Sequence, residues 1–138
     1  MTGEYRHTID AKGRVSVPSR LREKLGSQFY VTIGLDRCLA VYSQSRWDEF
    51  AEKFASQPYA KARHMRPIFA NACCCELDAQ GRILLPQKLR EYAGLKKEVT
   101  IIGVYTHAEI WDTAARAAAE ETELAPENIE RVMEELGI

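Results

Sequence analysis

Two arginines, Arg14 and Arg82, each stand four residues after an aspartate and directly after a glycine, in the runs DAKGR (10–14) and DAQGR (78–82). A guanidinium held at the edge of a turn presents a fixed fork of N–H donors, which suits phosphates and the O6/N7 edge of guanine. Lys12 and Gln80 occupy the same place in their respective turns. Lysine is a point charge fitted to phosphate, while glutamine offers a neutral donor and acceptor for a base edge or a phosphate. The other reactive side chains do not gather. His7, His64 and His107 are scattered, each read as a surface or packing residue, and no Ser/His/Asp or paired-carboxylate grouping accompanies them. Cys73-Cys74-Cys75 lacks the C-x2-C spacing of a zinc clamp and has no histidine at ligand spacing. With Cys38 these thiols read as small buried hydrophobes, Cys73 and Cys75 on one strand face and Cys74 on the other. No catalytic residue, metal or cofactor is expected.

The elements that position the two arginines are themselves duplicated. IDAKGRVSVPSRLREKLG (9–26) and LDAQGRILLPQKLREYAG (77–94) align at one offset of 68 (78 − 10), which matches Asp10 with Asp78, Gly13 with Gly81, Pro18 with Pro86, and Leu21-Arg22-Glu23 with Leu89-Arg90-Glu91. Such a register marks two copies of one structural unit. In each, the aspartate opens a tight turn by binding backbone N–H groups further on, and the glycine supplies the positive φ that closes it. A short β-rich run (VSV or ILL) leads to a proline suited to a helix start, and the helix stops at Gly26 or Gly94. The unit is strand, Asp-x-x-Gly turn, strand, short helix. Asp10, Gly13, Asp78 and Gly81 form the turns, and the repeated arginine has no evident folding duty.

Around these copies, FYVTIGL and LAVYS read as two strands joined by Asp36-Arg37, and VTIIGV with AEIWD repeats them after a slip of one residue. Ser45 is placed as the cap of a helix, with Asp48 as its capping-box partner and Trp47, Phe50 and Phe54 at helical spacing. That stripe predicts core or subunit contact. A second helix spans about 59–72, with Pro67 kinking it or marking its true start. Thr113–Glu123 is alanine-rich and helical. Pro126 opens a last, acidic helix whose Ile129, Val132, Met133 and Leu136 share one face. The chain divides accordingly into a first unit (1–57), a linking helix (58–72), a second unit (73–125) and the acidic C-terminal helix (126–138).

A hydrophobic content of 46% and a charged content of 28% over 138 residues are those of a soluble globular protein, one domain or two halves sharing a core. No apolar stretch resembles a leader or approaches the ~18 residues of a membrane span, so a cytoplasmic protein is expected. The net charge of −1 hides an uneven distribution: Lys12, Arg14, Arg20, Arg22, Lys24, Arg82, Lys88 and Arg90 crowd the repeats, whereas Glu120 to Glu135 make the tail acidic. The split points to a basic face for an anionic partner.

The run D-x-K-G-R-V-S-V-P with a basic short helix behind it resembles SpoVT/AbrB-type transcription factors. The doubled arrangement, with ELDAQGRILLP, LREYAGL, KKEVTIIGV and EIWD, resembles the MraZ family over about residues 3–112. The resemblance implies an α+β fold with peripheral helices, in which two fused AbrB-like units form a swapped-hairpin or double-psi-type β-barrel within one chain. It further implies a transcriptional regulator encoded at the start of a bacterial division and cell-wall gene cluster. Its subunits would assemble into homo-oligomeric rings that bind direct repeats of double-stranded promoter DNA, associated with the nucleoid. Carried over residue by residue, the DNA contacts are Lys12, Arg14 and Arg82, with Gln80 standing where the first copy has lysine. Two arginine-bearing turns are a small contact set beside the ~1,000 Å² typical of specific sites, so oligomerisation is an expectation of the mechanism too.

Two other classes remain. AbrB-like domains also serve as antitoxin-type interaction modules, whose tails wrap a protein partner. A double-psi barrel can also host a self-processing decarboxylase that cleaves a Gly-Ser bond, and Gly26-Ser27 is present. Gly94 is followed by Leu95, however, and Gly26 already has a duty as a helix cap.

Overall fold

Short β-rich runs punctuated by Gly, Pro and Asp fold into eight strands and seven α-helices in the computed structural model, which describes residues 1–138. The first half contains β1 (Glu4–Thr8), β2 (Arg14–Ser16), α1 (Ser19–Leu25), β3 (Gln28–Ile33), β4 (Leu39–Ser43) and α2 (Gln44–Ala55). The second repeats the order with β5 (Cys73–Glu76), β6 (Arg82–Leu84), α5 (Gln87–Tyr92), β7 (Glu98–Gly103), β8 (Ala108–Asp112) and α6 (Thr113–Glu123). Between them lie α3 (Tyr59–Ala62) and α4 (Arg66–Ala70), and α7 (Pro126–Leu136) ends the chain. The architecture is α+β, with an antiparallel sheet.

Six strands form one sheet in the order β1-β7-β8-β4-β3-β5, and β2 and β6 form a separate two-stranded ribbon. Exchanging the halves reverses the large sheet onto itself, so the fold has a pseudo-two-fold axis. The halves are interleaved. β1 pairs with β7, β5 with β3, and β2 with β6, all antiparallel. The axis passes between Val15 and Ile83, which face each other in the ribbon and are themselves equivalent at the 68-residue offset (83 − 15). Beyond the short helices the offset becomes 70 for β3 and β7 (98 − 28) and 69 for β4 and β8 (108 − 39). The hairpin slip therefore consists of two extra residues before β7 and one fewer in the turn after it.

The shared core lies under this axis. Val15, Leu21, Phe29, Val31, Ile83, Leu85, Leu89, Val99 and Ile110 form part of one buried cluster to which both halves contribute. Phe29 is fully buried on β3, between β4 and β5. Phe29→Ala should cost about 3–5 kcal/mol through lost burial and the cavity left behind. Urea denaturation checks this, and a loss near zero would place Phe29 outside the cooperative core.

Several local details differ from the sequence reading. The cap of α2 is Ser43 rather than Ser45: Ser43 Oγ accepts from the Arg46 N–H at 3.4 Å, because β4 runs straight into the helix without a loop. The 59–72 helix is broken. Pro67 lies in the first turn of α4, which starts anew after a 3-10 turn at Arg63–Met65. Cys75 is buried as expected, but Cys73 is half-buried and Cys74 exposed, since β5 is an edge strand. Cys73 and Cys75 do share a face, with sulfurs 3.8 Å apart. Burial pushes the Cys38 thiol up to about 12, and the Cys75 thiol upward as well, so both stay protonated and inert.

Trp47, Phe50 and Phe54 on α2 build an aromatic cluster with Tyr30, Tyr42 and Phe69, including a stacked Tyr30–Trp47 pair 4.8 Å apart. His107 stacks on Tyr42 at 5.0 Å, as a packing residue. No helix is long and apolar enough to cross a membrane.

Candidate nucleic-acid interface

Each Asp-x-x-Gly-Arg run folds into the same locked turn. Asp10 Oδ1 accepts from the backbone N–H groups of Lys12 (3.0 Å) and Arg14 (2.8 Å), and Asp78 Oδ1 from those of Gln80 (2.8 Å) and Arg82 (2.9 Å). The Gly13 N–H donates to the Asp10 carbonyl and the Gly81 N–H to the Asp78 carbonyl, both at 3.0 Å. The two copies are duplicates in every one of these bonds.

The second carboxylate oxygen gives the arginines a duty that the sequence reading denied them. Arg14 Nε donates to Asp10 Oδ2 at 2.6 Å, and Arg82 Nε to Asp78 Oδ2 at 3.0 Å. One edge of each guanidinium is thereby fixed to its own turn, while the Nη groups make no hydrogen bond within the chain. An arginine pinned through Nε and free at both Nη groups is oriented in advance for a bidentate acceptor. Hydrogen bonds from the Arg14 and Arg82 backbone N–H groups, helped by the adjacent guanidinium, outweigh desolvation and hold both aspartates below their ordinary carboxylate range. A depressed pKa stabilises the turn above the ordinary carboxylate value, and that contribution is lost as pH falls through the depressed one.

The ribbon brings the two arginines together from opposite ends of the duplication. Arg14 pairs with Leu84, and Ser16 with Arg82. Arg14 and Arg82 are thus diagonal neighbours on one ribbon face, with Cα atoms about 7–8 Å apart by ladder geometry. Val15 and Ile83 point to the opposite face and are buried. The outward face carries Arg14, Ser16, Arg82 and the exposed Leu84, with Lys12 and Gln80 exposed at the turns on either side. The six residues thus lie along the ribbon and its two turns, around the pseudo-two-fold axis, and three of them are cationic.

Each turn is braced from the other half. The Val17 N–H donates to the Gly81 carbonyl and the Leu85 N–H to the Gly13 carbonyl, both at 2.9 Å. The side chain of Arg90 lies over Gly13 and that of Arg22 over Gly81, so close that a Cβ on either glycine would stand within 3 Å of a guanidinium atom. Arg90 Nε donates to the Leu85 carbonyl at 3.0 Å. Arg22 and Arg90 are a support that sequence reasoning counted only as part of the basic surround; their identical place in both copies was the available signal. With φ of +90° at Gly13 and +75° at Gly81, alanine at either position meets a strained backbone as well as the bracing arginine. We expect Gly81→Ala to destabilise the fold by about 1–2 kcal/mol from the left-handed backbone alone. A thermal melt unchanged from wild type would contradict that.

Elsewhere, a cavity of about 520 Å³ lies beside the aromatic cluster, lined in part by Tyr42, Phe50, Ile68, His107 and Glu109. Glu109 accepts from Trp111 Nε1 at 3.0 Å. Burial pushes its carboxyl up, but donors from His107 and Trp111 outweigh that and hold it low. None of these residues lies at the ribbon face.

Comparison with known proteins gives this duplicated arrangement a family. The profile of the family described as "MraZ protein, putative antitoxin-like" matches twice, over residues 1–66 and 68–131, one match to each half. The chain is 52% identical over 143 residues to a protein of Caldicellulosiruptor saccharolyticus, covering all of this chain and 99% of that one. It is 46% identical over 140 residues to one of Acetivibrio thermocellus, covering 99% and 98%. A third, of Carboxydothermus hydrogenoformans, is 55% identical over 112 residues, covering 79% and 78%. All three are named transcriptional regulator MraZ. With both halves matched and the full-length relatives aligned end to end, the chain belongs to the MraZ family.

Proposed function

We propose that this protein is a sequence-specific DNA-binding transcriptional regulator, and that the β2–β6 face reads the DNA. The observation that carries this is the meeting of two identically locked arginine turns on one ribbon. A two-stranded β-ribbon fits the major groove, where an arginine fork pairs with guanine O6/N7. In this reading Arg14 and Arg82 contact bases, Lys12 contacts phosphate, and Gln80 contacts a base edge or a phosphate. Asp10, Gly13, Asp78 and Gly81 hold the geometry. The protein carries out no catalysis and needs no cofactor or metal.

The finer parts of the reading extend the same logic. We take the exchange of β1, β2, β5 and β6 between halves as a swapped-hairpin, double-psi-type barrel. The units are residues 1–57 and 73–125, linked by 58–72 and followed by 126–138. One chain offers few base contacts, so subunits in a ring would grip direct repeats upstream of the protein's own division and cell-wall gene cluster, gaining affinity by effective concentration. Such a protein works in the cytoplasm, on the nucleoid.

Fluorescence anisotropy on the promoter DNA upstream of the protein's own gene tests the proposal against scrambled DNA of equal length, across a salt series. Preference for the native promoter is the expected result. Equal binding to both DNAs at every salt concentration would overturn it. Lys12→Ala should weaken binding to both DNAs alike and lower the salt slope by about one per bound chain. An unchanged slope would remove Lys12 from the phosphate contacts.

A further inference from the structure

The C-terminal helix α7 is amphipathic and lies uncovered. Ile129, Val132, Met133 and Leu136 are 42–67% exposed although they share one helical face. Glu130 and Glu135 flank that stripe on either side, and Glu127 and Glu134 lie further round the helix with Arg131. An apolar stripe rimmed by charge marks a contact surface.

The duplication says where its counterpart lies. Pro58, before α3, and Pro126, opening α7, are again 68 residues apart (126 − 58), so α7 is the second-half equivalent of α3–α4. In the first half this segment has a seat. α4 packs on β3, Thr32 Oγ1 donates to the Ile68 carbonyl at 2.5 Å, and Phe69 meets Trp47, Phe50 and Phe54. In the second half the seat has been lost. At the helix offset of 69 set by the caps Ser43 and Asp112, Trp47, Phe50 and Phe54 are replaced by Arg116, Ala119 and Glu123. Arg116 covers Trp111 at 5.0 Å and is bound to Glu123. α6 therefore offers α7 no aromatic floor.

A complementary surface exists on the first half. Tyr59, Ala62, Arg63, Arg66 and Phe69 line an open groove along α3–α4. Tyr59 is 70% exposed, Arg66 lies over its ring, and both arginines face solvent. The groove is apolar at its floor and basic at its rim, the inverse of an acidic helix with an apolar stripe.

We propose that α7 of one copy docks in the α3–α4 groove of a second copy, as a helix-in-groove contact. This rests on the oligomer reading given above and supplies its interface. The contact joins the second half of one chain to the first half of the next. It is head-to-tail, the type that closes into rings when the rotation permits.

Light scattering on the full chain without DNA tests it, at micromolar concentration. Wild type should be oligomeric, and removal of residues 126–138 should bring the mass down to one chain with the circular dichroism of the barrel kept. Glu130→Arg with Glu135→Arg, or Arg63→Glu with Arg66→Glu, should each weaken assembly at least tenfold, and the four changes together should restore it. A truncated protein that keeps the wild-type mass would overturn this interface while leaving oligomerisation intact; a monomeric wild type would overturn both. A lowered melting temperature with unchanged mass would mean that α7 lies on its own chain, which also sinks the proposal. Loss of DNA affinity without loss of mass in the Arg63/Arg66 variant would assign the groove to phosphate instead.

Discussion

Arg14→Ala should abolish preference for the native promoter while the fold survives. The expectation follows from the division of labour within one side chain. Nε contributes one bond to the turn, but Asp10 keeps its two backbone donors when the guanidinium is gone. Both Nη groups, unused within the chain, would be lost to the DNA. One bidentate guanine contact is worth about 1–3 kcal/mol of discrimination, roughly 5- to 150-fold, and in a ring the loss recurs at every subunit. Arg82→Ala should hurt less. The two turns are matched bond for bond, so the difference rests on their neighbours: on the DNA-binding reading, Lys12 would anchor the first turn to phosphate with a full charge, and Gln80 has none to offer the second. Anisotropy titrations of both variants, with circular dichroism alongside, decide the matter. Unchanged specificity in a folded Arg14→Ala protein would remove the ribbon as the reader, and a larger loss from Arg82→Ala would reverse the assigned ranking.

The second large effect concerns the halves themselves. Residues 1–72, expressed alone, should be unfolded as a monomer. β1, β2 and β3 each lose a partner strand, because β7, β6 and β5 all belong to the other half. Val15, Leu21 and Phe29 lose the facing side of their core. Two such fragments can replace one another's missing strands, since the halves are related by the pseudo-two-fold axis. Folded signal should therefore rise with concentration and vanish on dilution. A half that stays folded and monomeric at nanomolar concentration would show that the exchanged pairing is dispensable.

Much of the local structure was legible in the sequence, and for a local reason. Asp, Gly and Pro act on backbone within a few residues of themselves, so the turns at Asp10 and Asp78 and the helix ends at Gly26 and Gly94 could be placed. The α+β class and the family were also legible, because the duplication is written in identities. The pairing of β1 with β7 was not open to pattern reasoning alone: alternation along a strand is the same whichever strand lies beside it. The same blindness explains Cys74, whose exposure comes from β5 being an edge. The Nε contact between Arg14 and Asp10 left only its four-residue spacing in the sequence, a spacing that fits a solvent-facing arginine equally well.

The pseudo-two-fold axis between Val15 and Ile83 is imperfect at the surface. Lys12 is answered by Gln80, and Ser16 by Leu84. A perfectly even reader would see the same word from either side and could not tell upstream from downstream. This one has a front and a back. On the DNA-binding reading, its preferred word is near-palindromic yet lopsided, so each bound chain points along the duplex like an arrow. A string of such words in one orientation then fixes the heading of every chain on it.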